Sequence, residues 1–185
     1  MENGEVFGKK GLKNMYSKVD HIPLIKEIAR GLKRSKNNKR YLELGIAKAK
    51  CFNVIARYFN ESTAVDISEK ALGYIDVDCF KRCCKTSEFF NENKEKFDLI
   101  FVDADHHYGS VERDFLDSLN CLSEDGVIIM HDTYAPNEFY ADHCEDAWKI
   151  QDYLINRKDL QFINLPVFYG LTIVKRHNKK EYWKK

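Results

Sequence analysis

Much is missing from this sequence, and each absence removes a class of protein. No run of about 18 apolar residues occurs, so no segment is expected to span a membrane. The first residues, Met-Glu-Asn-Gly-Glu-Val-Phe, form no apolar signal region, and a cytoplasmic location is expected. An excess of one charge is also absent. The 30 basic and 29 acidic residues leave a net charge of +1, whereas non-specific nucleic-acid binders carry a strong basic excess. Neither a nucleic acid nor a membrane is an expected partner. Proline occurs only at Pro23, Pro136 and Pro166, and no Gly/Ser linker or internal repeat divides the chain. A length of 185 residues then fits one domain, 1–185. The six cysteines show no C-x-x-C spacing and read as reduced thiols.

What is present is an alternation of short apolar runs and helical spacings. Residues 1–18 are polar and expected to be loosely ordered. Ile22, Leu24, Ile25, Ile28, Ala29 and Leu32 recur at helical intervals behind Asp20, a candidate cap. Strands are expected at Tyr41–Leu44, Ser62–Val65, near Asp78–Cys84, at Leu99–Val102, Gly126–Met130, Gln161–Leu165 and Gly170–Val174. Helices are expected at Ala49–Tyr58, from Ser68, at Ser87–Glu95, Ser110–Leu122 and Glu145–Arg157. Thr133–Asp142 reads as a long loop rich in aromatics. The basic stretch Lys33–Arg40 and the tail from Lys175, with 176–185 its basic end, read as solvated surface and a frayed terminus. Alternation implies an α/β fold with parallel strands and right-handed crossovers. The last two strands are joined too tightly for a crossover and must pair antiparallel.

Two strand ends carry the chemistry. Phe97-Asp-Leu-Ile-Phe-Val-Asp-Ala-Asp-His-His-Tyr108 ends an apolar run in Asp103, Asp105, His106 and His107, and Gly126-Val-Ile-Ile-Met-His131-Asp132 ends another. Ligands of open α/β sheets bind at the carboxyl ends of such strands. The turn after the first strand, Glu43-Leu-Gly45, has one glycine where a pyrophosphate-binding turn has three, and Ala47 and Ala49 follow. A dinucleotide therefore fits poorly. A nucleoside without pyrophosphate, such as S-adenosylmethionine, needs less backbone approach. Asp66 stands 21 residues after Gly45, the offset of an acid that holds ribose hydroxyls. A turn glycine with an unrelated acid nearby accounts for that pair equally well.

Taken together, Glu43-Leu-Gly45, Val65-Asp66, Phe97–Tyr108, Asp125–Thr133 and Tyr169-Gly-Leu-Thr-Ile-Val174 resemble the class I S-adenosylmethionine-dependent methyltransferases. The chain is most similar to the small-molecule and sugar O-methyltransferases of the macrocin and mycinamicin type, and more distantly to caffeoyl-CoA and catechol O-methyltransferases. The resemblance spans about Tyr41 to Lys175. It implies a three-layer Rossmann-like fold with a seven-stranded, mostly parallel sheet whose last strand is antiparallel. It also implies that Glu43 and Gly45, with Ala47, border the methionine end of the cofactor. Asp66, with Ile67 beside it, would hold the ribose. Adenine would lie near Thr86 and Ser87, where many relatives have an Asp.

The resemblance further implies a divalent cation held by Asp103 and the pair His131–Asp132. Oxygen ligands suit Mg²⁺, and His131 shifts preference towards Mn²⁺, Fe²⁺ or Zn²⁺ or does not ligate. In the alternative, Asp132 caps the following loop and Asp103 contacts only the cofactor's ammonium. His106, three residues past Asp103, is the candidate general base for a small hydroxylated substrate. The alternatives are that His106 orders its loop by bonding a backbone carbonyl, or that His107 is the base. Asp105 would steady the cofactor's amino group or the His106 ring. Tyr134, Phe139 and Tyr140 suit an acceptor such as a sugar. Core packing or a homodimer contact accounts for them as well.

Overall fold

The computed structural model describes residues 20–33, 39–135, 138–167 and 169–177. The expectations for 1–18 and for most of the basic tail lie outside these residues. Seven strands form one sheet: β1 (Arg40–Leu44), β2 (Glu61–Asp66), β3 (Phe80–Cys83), β4 (Phe97–Val102), β5 (Leu122–His131), β6 (Leu160–Leu165) and β7 (Leu171–Arg176). Their order is β3-β2-β1-β4-β5-β7-β6. The first five strands pair in parallel, and β7 runs antiparallel to both β5 and β6. The expected antiparallel ending is present.

Helices cover both faces: α1 (Ile22–Lys33), α2 (Lys50–Ile55), α3 (Glu69–Leu72), α4 (Thr86–Glu92), α5 (Tyr108–Cys121), α6 (Glu138–Cys144) and α7 (Ile150–Ile155). The period of two along β4 divides the core. Leu99 and Phe101 pack with Ile25, Phe52 and Ile55 on one face. Ile100 and Val102 pack with Val111, Phe115, Ile150 and Leu154 on the other. The order of strands reverses between β1 and β4, so their carboxyl ends open a crevice there.

Three local expectations are corrected. Residues 133–142 are not all loop, because α6 occupies Glu138–Cys144. Its last residue, Cys144, is fully buried, and its thiol reaches Asp132, which ties the segment down. The side chains of Phe139 and Tyr140 lie outside the described residues. Second, Glu145–Arg157 is not one helix. Glu145 has φ +47°, Ala147–Lys149 make a 3-10 turn, and α7 follows. Third, the end of the basic stretch is not solvated surface. The Lys39 side chain is only 3% exposed, and its Nζ donates to Asp98 Oδ1 at 3.1 Å. Asp98 also accepts from the Arg40 amide at 2.9 Å and the Ser123 hydroxyl at 2.9 Å. One carboxylate thus joins β1, β4 and β5 at the end of the sheet opposite the crevice.

Removing one partner of such a buried pair strands the other. Asp98→Asn is expected to cost about 3 kcal/mol in urea unfolding. Asp76→Asn, at the exposed Arg57–Asp76 pair, should cost under about 1 kcal/mol.

Candidate active site

The crevice begins at Gly45. Its φ is +83°, and a Cβ there would lie 2.1 Å from the Asp103 carbonyl oxygen. The Gly45 amide donates to Val65 O at 2.9 Å, and the Asp103 amide donates to Leu44 O at 2.9 Å. The ends of β2, β1 and β4 are therefore laced together where the backbone has no room for a side chain. Ala47 and Ala49 take φ +47° and +55°, the left-handed region. The turn keeps the conformation that glycines would favour, at a cost of about 1 kcal/mol for each alanine. Asp66 has a role that sequence reading missed. Its Oδ2 accepts from the Ile46 amide at 2.8 Å, and its Oδ1 accepts from the Ser68 amide at 2.8 Å. The D-x-S order of an Asx turn was the available signal.

Beside Gly45, two carboxylates and two imidazoles gather. Asp103 leaves the end of β4, and Asp132 follows β5 with φ +57°. His131 Nδ1 lies 3.2 Å from Asp103 Oδ1 and 3.0 Å from Asp132 Oδ2. His106 Nε2 lies 2.9 Å from the same Asp132 Oδ2 and 3.8 Å from Asp103 Oδ1. The other ring nitrogen of His106 meets the His143 carbonyl at 3.1 Å. The Asp132 side chain is only 2% exposed. The carboxylates of Asp103, close by, and of Asp132, which accepts from Nε2, push His106 up to about 11. Burial opposes the charged form of His131, but the same two carboxylates push it up to about 10. Burial also opposes the charge on Asp132, and the two imidazoles overcome it and hold this carboxyl low.

Asp103, His131 and Asp132 bring three ligand atoms within 4.8 Å of one another, a group able to hold a cation. The His21 ring lies 4.3 Å from that of His131, and burial, the largest cause, brings its pKa down to about 4. No sequence signal pointed to His21; packing of α1 across the sheet brings it there. His107 is exposed and is held by Asp105 at 2.9 Å and Glu145 at 2.8 Å.

Two hollows meet at Gly45. The larger, about 570 Å³, is lined by Asp66, Ile67, Thr86, Ser87, Asp105 and His106. The smaller, about 510 Å³, is lined by His21, Glu43, Ala47, Lys48 and Asp103. Both fall within the range of small-molecule sites. Glu43 is 2% exposed and accepts from the Tyr41 hydroxyl; burial pushes its carboxyl well above the usual range. His131 and Asp132 line neither hollow, whereas Asp103 lines the smaller and His106 the larger.

A family model described as a methyltransferase domain matches residues 42–133. This span contains Glu43, Gly45, Asp66, Asp103, His106 and the His131–Asp132 pair. The chain belongs to the class I S-adenosylmethionine-dependent methyltransferases. Solved structures agree on the methyltransferase fold. A methyltransferase of Podospora anserina, PaMTH1, bound to S-adenosylhomocysteine, is 17% identical with a TM-score of 0.65, over 96% of this chain and 100% of that one. The O-methyltransferase TomG of Streptomyces achromogenes, in complex with S-adenosylmethionine, is 12% identical with a TM-score of 0.64, over 91% and 95%. An rRNA methylase of Streptococcus thermophilus is 10% identical with a TM-score of 0.62, over 82% and 95%. No curated protein matches the chain in sequence. At such identities likeness speaks for the fold, and the methyl acceptor must be argued from the site.

The glycine turn of this methyltransferase is directly testable. Ala47 is exposed, so Ala47→Gly should relieve its left-handed strain and raise stability by up to about 1 kcal/mol in chemical unfolding. Gly45→Ala should unfold the β1–β4 junction or cost more than about 3 kcal/mol, because backbone atoms stand in the way.

Proposed function

We propose that this methyltransferase acts on a hydroxyl group of a small metabolite or sugar. Its cation would be held by Asp103 and Asp132, and His106 would be the proton acceptor. The supporting observation is the meeting of His106 Nε2 with Asp132 at 2.9 Å, next to Asp103 and at the edge of the larger hollow. S-adenosylmethionine, when bound, supplies a methyl group on a sulfonium. The residues present suit it. Asp103 lines the smaller hollow with a carboxylate that matches an ammonium, and Glu43 lies beside it in the same lining. Asp66 stands at the larger hollow for the ribose, with Ile67 beside it and Thr86 and Ser87 beyond. Asp105 is engaged with His107, so it steadies the loop that carries His106.

A divalent ion, when bound, lowers the pKa of the acceptor hydroxyl and fixes its position. The donor set suits one, with two carboxylates and one imidazole nitrogen within 4.8 Å of one another. Its nitrogen donor favours Mn²⁺, Fe²⁺ or Zn²⁺ more than a set of oxygens alone does. A cation held by Asp103 and Asp132 would compete with His106 Nε2 for the Asp132 carboxylate. Occupation of the carboxylates by a cation would let the His106 imidazolium give up its Nε2 proton to solvent, and the neutral Nε2 would then accept the proton of the acceptor hydroxyl. Tyr134, half-buried beyond Thr133, offers a ring for a sugar face. The nearly balanced charge argues for a small acceptor over a nucleic acid. A second reading has one observation in its favour. Both ring nitrogens of His106 are engaged, one by the His143 carbonyl, so the ring serves as a structural tie.

Calorimetry with S-adenosylmethionine, combined with turnover on a panel of hydroxylated acceptors, separates the two readings. Cofactor affinity is expected to be insensitive to a chelator, while turnover falls with it and returns with Mn²⁺ or Mg²⁺. His106→Ala should keep cofactor affinity within about threefold and lose about 10²–10⁴-fold in turnover. Undiminished turnover in that variant would leave the tie as the role of His106.

A further inference from the structure

One buried acid takes no part in the cluster above. Asp114 lies two turns into α5, between the core residues Val111 and Phe115, and is 3% exposed. It nevertheless lines the larger hollow, together with Thr86 and Ser87 from the start of α4. The Thr86 side chain lies close enough to its carboxyl to favour the charged form. Burial pushes this carboxyl up to about 6, so above that pH it is an anion. A carboxylate offers about four acceptor positions, and one hydroxyl uses a single one of them. A buried acceptor with spare capacity beside a hollow suits a ligand that brings N–H donors.

The rest of the lining narrows the ligand. Asp66, at the end of β2, lines the same hollow, and a nucleoside with its sugar at Asp66 would have Thr86, Ser87 and Asp114 left to meet its base. The end of β3 and the turn after it offer Lys85 and Thr86, and no carboxylate. We infer that Asp114, from helix α5, accepts the exocyclic amine of the cofactor's adenine. The inference rests on the reading of the larger hollow as the cofactor site. A 6-amino base donates to this carboxylate. A 6-oxo base turns a carbonyl towards it, so two acceptors face each other and affinity is lost. Asp114 is thus a specificity residue for the base.

The test uses the full chain at pH 8 with two probes, S-adenosylhomocysteine and its deaminated form, S-inosylhomocysteine. Calorimetry of the wild type is expected to show the adenosyl form binding at least about tenfold tighter. Asp114→Asn keeps the shape but replaces one acceptor with a donor. It should narrow the ratio to within about threefold or reverse it. Thr86→Val should keep the ratio, because the amine is read by Asp114. A wild-type ratio near one overturns the inference whatever the variants do. Equal weakening of both ligands by Asp114→Asn, with the ratio unchanged, also overturns it and leaves Asp114 as a tether for Thr86. If Asp114→Asn does not fold, as a melting curve would show, the wild-type and Thr86→Val ratios decide. Failure of the wild type to bind S-adenosylhomocysteine is a different result. It removes the assignment of the hollow, and this inference falls with it.

Discussion

Asp103 and Asp132 are anions brought side by side at the reversal point of the sheet, and one of them is almost wholly removed from water. Like charges in such a place must be cancelled. Here His106 and His131 cancel them, each within hydrogen-bond reach of Asp132 Oδ2. The left-handed backbone of Asp132, the burial of Cys144 against it and the tilted contact of the His21 ring with His131 hold that arrangement in place. A site with two carboxylates and two imidazoles can exchange its positive charge for a metal ion. That exchange links the architecture to the chemistry proposed for it.

The fold prepares this site from a distance. Asp98 gathers Lys39, Arg40 and Ser123 and so aligns β1, β4 and β5 at their amino ends. With those strands in register, their carboxyl ends put Gly45 under Asp103 and Met130 beside Val102. Asp66 then closes the turn after β1 through the Ile46 amide. Two hollows result, with Gly45 in the lining of both.

Much of this was legible in the sequence. Apolar runs that end in Asp103 and Asp132 identify strand ends, because polar groups rarely interrupt a buried strand anywhere else. The tight join between the last two strands dictated their antiparallel pairing. Other features were hidden for physical reasons. Lys39 looks like any surface lysine until Asp98, 59 positions away, comes beside it. Ala47 and Ala49 looked like a weakened glycine turn, yet the chain accepts their left-handed strain and keeps the turn's shape. The helix at Glu138–Cys144 was obscured by Pro136 and the aromatics around it. Asp114 gave no signal because a helical spacing of apolar residues treats it as a polar interruption, while the neighbouring α4 makes it part of a hollow.

The account depends on Asp103 and Asp132 sharing a cation when the methyltransferase is at work. The most direct measurement is anomalous diffraction from crystals grown with S-adenosylhomocysteine and Mn²⁺. The account predicts a manganese peak about 2.0–2.2 Å from oxygens of both carboxylates, with the His106 ring released from Asp132. A structure with the nucleoside in place, no manganese between the two acids and His106 still bonded to Asp132 would contradict it.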